Sequence, residues 1–360
     1  MSRTIIDSVA ILTAILLLIF AAFALSYKKG RITSHKILSA FLFANSLYII
    51  DFSLMAIENS TGLNLRWFNG IGSSFGFLFG PLLYLYSKSI TQKTFSLRAS
   101  ESVHLIVFMI AFVTVLFNTR IPFVYRYSAL FVQTTPYMLA CFIAIIRYRR
   151  QIKDYYSSID RLNLTWMLYV VGAFFFMWMV DLLDFILAGF DMINNVVESY
   201  LVFLSLMINF AFAILIFYKA LQHPEIFAGL PGSEHFRKYA QSRLTKNEKR
   251  EYLQKLEQYF LNKKPFLNPE LTINDVAHAL GIPAKYLSQV INETLQKNFY
   301  DFINSYRIEE AKKKLKNGDD PKMTVLEVLY DSGFNSKSAF NTAFKKHTGY
   351  TPTQFRKQAS

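Results

Sequence analysis

The sequence predicts an all-α chain in two parts, a seven-helix transmembrane bundle followed by a cytoplasmic, homeodomain-like domain of two helix-turn-helix units. Three observations carry that reading. Seven apolar spans occupy the first 218 residues, and one helix-turn-helix pattern occurs twice in the last hundred or so. The third is composition: the 360 residues are 52% hydrophobic, more than a soluble protein usually shows.

The spans fall at about 5–26, 37–57, 68–87, 102–118, 127–146, 164–188 and 198–218. Each is near the roughly twenty residues that cross the hydrocarbon at about 1.5 Å per residue, and the fourth is marginal. The first is followed by YKKGR and has no small-residue cleavage site, so it reads as a retained anchor rather than a signal peptide. Within the third, Pro81 predicts a kink, because proline removes a backbone hydrogen bond.

Orientation follows from the basic residues of the short loops. One set of loops carries Lys28, Lys29, Arg31, Lys36, Lys88, Lys93, Arg98, Arg147, Arg149, Arg150, Lys153 and Arg161, whereas the other carries only Arg3, Arg66, Arg120 and Arg126. The rule puts the first set in the cytoplasm and the N-terminus outside. An odd number of crossings then delivers everything after Lys219 to the cytoplasm, where DNA is. The expected location is a membrane with this tail on its cytoplasmic side.

Charge is compatible with a nucleic-acid partner without proving one. The formal net charge of +14 divides into +6 for residues 1–218 and +8 for 219–360. A basic tail under an anionic leaflet is also drawn to lipid. The paired motifs, not the charge, carry the DNA inference.

Residues 219–250 are rich in turn formers and charge and read as a linker, leaving 251–360 for the DNA-binding domain. A helix from about Asn247 to Leu261 sets Leu253, Leu256 and Phe260 on one face, which packs on its own domain or on a twin in a homodimer. The first helix-turn-helix copy, about 271–292, reads LTINDVAHALGIPAKYLSQVI, and the second, about 323–347, begins MTVLEVLYDSGFNSKSAFNTAF. In each, a threonine (Thr272, Thr324) is followed three residues later by an acid (Asp275, Glu327), the pattern of a capping box. Each first helix stops at a glycine, Gly281 or Gly333, where a left-handed backbone costs no Cβ clash. Each second helix repeats apolar residues four apart, Leu287 with Ile291 and Phe340 with Phe344.

The opposite faces carry the base-reading candidates. They are Lys285, Ser288, Gln289 and Asn292 in the first copy, and Lys337, Ser338, Asn341 and Thr342 in the second. Asparagine and glutamine pair bidentately with adenine, and lysine with guanine edges. Lys345, Lys346 and Arg356 suit phosphate contacts, which position a protein without reading sequence. A connecting helix from about Tyr300 to Lys316 has the length to hold two recognition helices roughly one DNA turn apart.

RIEEAKKKL from Arg307, GFNSKSAFNTAFKK from Gly333 and GYTPTQFR from Gly349 give this tail its resemblance to the DNA-binding domain of the AraC/XylS family. The stretch from about Leu271 to Lys357 carries it, and the whole chain resembles the seven-span membrane members of that group. The resemblance implies a transcriptional regulator with no cofactor. Three positions depart from the family pattern: Leu329 stands where a small alanine is usual, Gln296 where a glycine commonly ends the first recognition helix, and Asn298 where a serine cap is usual.

For the membrane half, Asp51, Asp181, Asp184 and Glu198 fall in the outer third of their spans. Intramembrane acids face a cavity or a partner. They are candidates for an outward pocket, with Trp178 and Asn194, for a small-molecule or envelope signal; the alternative is that they only bind neighbouring helices or Arg66, Arg120 and Arg126.

Other classes fit less well. A retinal protein needs an intramembrane lysine, which the spans lack, and a sensor kinase needs a glycine-rich phosphate loop, which the tail lacks. The lone Cys141 and six unpaired histidines offer no metal site or disulfide framework, and no serine elbow suggests catalysis. A transporter or receptor with a regulatory tail is the alternative for the first half, although no inverted repeat is evident.

Overall fold

The computed structural model describes residues 3–26, 32–61, 70–92, 95–117, 121–159, 164–190, 192–222, 244–316 and 323–359. Arg66, Arg120, Arg161, most of the predicted linker and several of the loop cations used above lie outside them. Among the described residues the chain is all-α, and its only extended pairing is an isolated bridge between Tyr156 and Thr272. It forms two compact units, residues 1–146 with 165–234 and residues 147–164 with 235–360.

The first unit contains α1 (Arg3–Ser26), α2 (Ile32–Thr61), α3 (Ile71–Ser74), α4 (Phe79–Thr91), α5 (Ile106–Leu116), α6 (Phe123–Ile152), α7 (Thr165–Gly189) and α8 (Asn195–Gln222), the last turns of α6 passing into the second unit. Small residues let α1 and α2 meet closely: Ala10 and Ala14 are fully buried, and Ser46 and Ser39 donate across the contact to the carbonyls of Ala14 and Ala21 at 2.9 and 2.8 Å. Phe41, Phe79 and Phe174 pack edge to face at the centre. The exterior is the reverse of a soluble protein's. Ile11, Leu12, Ile15 and Ile19 of α1 are exposed, and α5 buries none of its residues. An apolar exterior of this extent is compatible with an apolar partner or a membrane.

Six helical segments among the described residues are long and apolar enough to cross a membrane. The third expected span, 68–87, is interrupted in its described part: α3 gives way to a 3-10 segment, Phe75–Leu78, before α4 begins. Pro81 supplies the cause, since it cannot donate to the carbonyl of Phe77 four residues back. That carbonyl is instead satisfied by Gln133 of α6, whose Nε2 donates to it at 3.0 Å.

The second unit contains α9 (Lys246–Lys263), α10 (Ile273–Leu280), α11 (Ala284–Thr294), α12 (Phe299–Lys316), α13 (Val325–Asp331), α14 (Lys337–Thr348) and α15 (Pro352–Ala359). It has two cores in series. Leu256, Phe260, Ile273, Val276, Leu287, Ile291, Phe299 and Phe302 form one, and Ile308, Ala311, Val328, Leu329, Phe340 and Phe344 the other. The amphipathic face of α9, Leu256 and Phe260, is spent in the first core with Leu253 partly buried beside it, so the stripe that suggested a homodimer faces this unit.

Both predicted capping boxes form. The Thr272 amide donates to the Asp275 carboxylate at 2.8 Å and the Asp275 amide to the Thr272 hydroxyl at 3.3 Å; Thr324 and Glu327 do the same at 2.6 and 3.2 Å. A third box, Thr245 with Glu248, opens α9.

Candidate nucleic-acid interface

Each first helix ends on a glycine in the left-handed region, Gly281 at φ 64° and Gly333 at φ 87°. Pro283 then leads into α11, and the Ser336 hydroxyl, accepting from the Ala339 amide, caps α14. The departures from the family pattern are accommodated locally. Gln296 adopts the left-handed conformation itself, at φ 52°. Asn298 caps α12 by accepting from the Asp301 amide at 2.8 Å, and Leu329 is buried in the second core.

The second recognition helix, α14, has the expected polar face: Lys337, Ser338, Asn341, Thr342, Lys345 and Lys346 are all exposed while Phe340, Ala343 and Phe344 are buried. Lys346 also holds Asp301 of α12 at 2.8 Å. Burial opposes ionisation of Asp301, but hydrogen bonds from Lys346 and Asn298 prevail and hold its carboxyl below the usual range. Arg356, half-buried on α15, lies beyond this helix.

The first recognition helix corrects one expectation. Ser288 is only 1% exposed and cannot reach a base. On α11 the buried arc runs through Leu287, Ser288, Val290 and Ile291, wider than the four-apart apolar pair implied, because the helix is packed on two sides. The Asn292 side chain turns back onto it, donating to the Ser288 carbonyl at 2.9 Å, and also meets Asp154 at 3.4 Å. Outward there remain Lys285, whose ammonium lies 4.5 Å from the Tyr286 ring centre, and Gln289, which donates to Glu293 at 3.1 Å. Glu293 also pairs with Lys249 at 2.6 Å. The sequence reading singles out neither Glu293 nor Lys249, since their pairing across α9 and α11 is visible only once the two helices are docked.

Behind both units stands Arg307, 1% exposed and midway along α12. Its Nε donates to the Phe266 carbonyl at 2.8 Å, and its Nη atoms to the Asn268 carbonyl, the Ser157 carbonyl and the Ser157 hydroxyl at 2.8, 3.0 and 3.0 Å. Burial pushes the guanidinium down to about 10, still cationic at neutral pH. Its charge rests on carbonyl dipoles, not on a carboxylate, and its face lies against the Phe334 ring of the second unit's turn.

Of the four acids of the first unit, Asp184 is within electrostatic reach of both Asp181 and Glu198, and Asp51 and Asp181 each act on Tyr48. Asp51 is taken up structurally: its two carboxylate oxygens accept from the amides of Gly70 and Ser73 at 3.0 Å each, capping α3. Glu198 is an exposed first-turn residue of α8, which Asn194 caps. Asp181 bonds Ser205 of α8, while Asp184 Oδ1 and Trp178 Nε1 are buried without a hydrogen-bond partner.

Two capped helix-turn-helix units carried on one connecting helix define the second unit as a helix-turn-helix domain. Comparison with known proteins agrees: residues 276–358 match the family model described as a helix-turn-helix domain. Over 91 residues the chain is 37% identical to a helix-turn-helix-type transcriptional regulator of the cgkA 5′ region of Pseudoalteromonas carrageenovora, covering 25% of this chain and 52% of the relative. It is 32% identical over 87 residues to the melibiose operon regulatory protein of Escherichia coli, covering 24% of this chain and 28% of that protein. With the Msm operon regulatory protein of Streptococcus mutans the figures are 30% over 88 residues, 24% and 31%. The matched segment thus spans about half or less of each relative. Among solved structures, the C-terminal domain of AraT, a response regulator from Geobacillus stearothermophilus, is 29% identical, with 32% of this chain and 88% of that one covered at a TM-score of 0.27.

Proposed function

We propose that the chain is a membrane-bound, one-component transcriptional regulator of the AraC type, binding double-stranded DNA through its two helix-turn-helix units under the control of a signal received by the membrane half. The observation that carries this reading is the mounting of two recognition helices, α11 and α14, on the single 18-residue helix α12. At about 1.5 Å per residue α12 is about 27 Å long, close to the roughly 34 Å between successive major grooves on one face of a duplex. Lys285, Gln289, Asn292, Lys337, Ser338, Asn341 and Thr342 read bases, and Lys345, Lys346 and Arg356 hold phosphates. Asn292 must first let go of Ser288 and Asp154.

In this reading residues 1–218 are the sensory bundle, 219–250 the linker and 251–360 the DNA-binding domain. The N-terminus is outside and the domain cytoplasmic, which requires the interrupted stretch 71–91 to complete a seventh crossing. The six long apolar helical segments, the apolar exterior and the loop cations support the membrane assignment. Signal reception is assigned to the region of Trp178, Asp181 and Asp184, where buried polar atoms lack partners. A signal acts only by binding one arrangement of the bundle better than another.

Crosslinking the tagged full-length chain to the genome of its own cell tests the proposal. Enrichment at a small set of sites sharing a two-part motif is expected; uniform recovery of all DNA would overturn it.

A further inference from the structure

Residues 147–159, the last turns of α6 and the segment that leaves it, belong to the same compact unit as the helix-turn-helix domain. Backbone pairing fixes their path. Ser157 donates to the Leu271 carbonyl at 3.1 Å, Ile273 to the Tyr155 carbonyl at 2.9 Å, and Tyr300 to the Lys153 carbonyl at 2.9 Å. Tyr155 is buried in the first core, and Ser157 supplies two of the acceptors of Arg307.

This register brings Arg150 and Lys153 to the C-terminal end of the first recognition helix. With Lys297 they wall an open polar cleft of about 420 Å³ that also contains Asp154, Asn292 and Gln296. Arg150 and Lys297 are exposed and Lys153 half-buried, so the three charges remain accessible. We propose that Arg150 and Lys153 are DNA-backbone contacts, so that the last turn of α6 and the segment leaving it form part of the surface that grips the duplex. The occupant is a run of duplex phosphates because the cleft is open and adjoins Asn292, on the helix assigned to base reading. A surface of exposed cations suits an extended polyanion, which releases counterions from each phosphate neutralised.

The inference rests on the functional reading above. Its test uses the full-length chain in nanodiscs, titrated with specific and random duplexes across a range of salt. The double variant Arg150→Ala/Lys153→Ala is expected to lose affinity for both duplexes alike, its log K against log salt slope flattening by about 1.8, or about 0.9 per contact. Lys297→Ala, on the exposed turn, is expected to flatten it by about 0.9. Asp154→Asn, which removes a repelling charge, is expected to bind roughly twofold tighter. The backbone carbonyl of residue 153 survives the substitution, so an unchanged melting temperature identifies a surface effect. Should the double variant melt early, Lys297→Ala and Asp154→Asn decide the matter with their opposite signs. Wild-type binding with unaltered slopes in all variants would overturn this inference alone. Effects seen only in nanodiscs containing phosphatidylserine, with DNA slopes intact, would assign the cations to lipid headgroups and also overturn it. Failure of wild type to bind any duplex would overturn the functional reading beneath.

Discussion

Arg307 and Ser157, 150 positions apart in sequence, are joined by two 3.0 Å hydrogen bonds from the two Nη atoms to the serine carbonyl and hydroxyl. Because the other Arg307 bonds reach Phe266 and Asn268, one guanidinium ties the segment between α6 and α7 to the entry of the first helix-turn-helix unit. Truncating it would strand the buried carbonyls of Phe266 and Ser157, whereas that of Asn268 keeps the Leu271 amide. Arg307→Ala is therefore expected to destabilise the second unit by about 3–5 kcal/mol and Ser157→Ala by about 1 kcal/mol. Hydrogen exchange of the α10 and α12 amides in the full-length chain measures both. Equal small effects would show that the bridge carries little energy.

The two turn glycines make unequal demands. A Cβ on Gly281 would meet nothing within 4 Å, so Gly281→Ala carries only the left-handed backbone penalty, about 1–2 kcal/mol. A Cβ on Gly333 would lie 2.4 Å from the Phe266 carbonyl oxygen, on top of the same penalty at φ 87°. Gly333→Ala is expected to cost clearly more than Gly281→Ala in denaturant unfolding. The reverse order would contradict the close approach of the two turns.

Base reading and backbone holding separate by their response to sequence. Gln289→Ala and Asn341→Ala are expected to relax base preference, each by about 1–3 kcal/mol of discrimination at its position. Lys346→Ala is expected to weaken binding to all duplexes alike. Binding selections on randomised DNA distinguish them, and identical losses on specific and random DNA for all three would refute the assignment.

The Asp301 carboxyl, held below its usual range, gives a pH signature. A group depressed in the folded state contributes stability above its unfolded value of 3.8, which is lost as pH falls through the folded value. Asp301→Asn is thus expected to lower the melting temperature at neutral pH, by an amount that shrinks toward zero in strong acid. Lys346 is 63% exposed, so the pair is worth no more than about 1 kcal/mol. A difference independent of pH would place the effect in the α12 cap instead.

In the first unit, Gln133→Leu leaves the Phe77 carbonyl without a donor and is expected to cost about 1–3 kcal/mol. Adding Pro81→Ala restores the backbone donor. The double variant should melt above Gln133→Leu alone; additive losses would sink the link between the two residues.

What could be read from sequence was local. Thr272 with Asp275, Thr324 with Glu327, and Gly281 and Gly333 act over three or four residues, within reach of a pattern. Ser288 was misjudged because a four-apart pair defines a line, whereas the buried arc of α11 depends on how many neighbours pack against it. The break at Phe75–Leu78 was legible as Pro81, but its remedy, Gln133, sits on another helix. Least legible was the docking of Tyr155 and Ser157 onto Leu271, Ile273 and Arg307, since pairing across more than a hundred residues leaves no periodic trace. Arg150 and Lys153 were therefore visible only as loop charges that orient the chain.

The central claim is most directly tested by hydroxyl-radical footprinting of the full-length protein in nanodiscs on a selected duplex. The account predicts two protected patches about one helical turn apart on the same face, with the second lost when Asn341 and Lys345 are replaced by alanine. A single patch, or protection indistinguishable from that on random DNA, would contradict it.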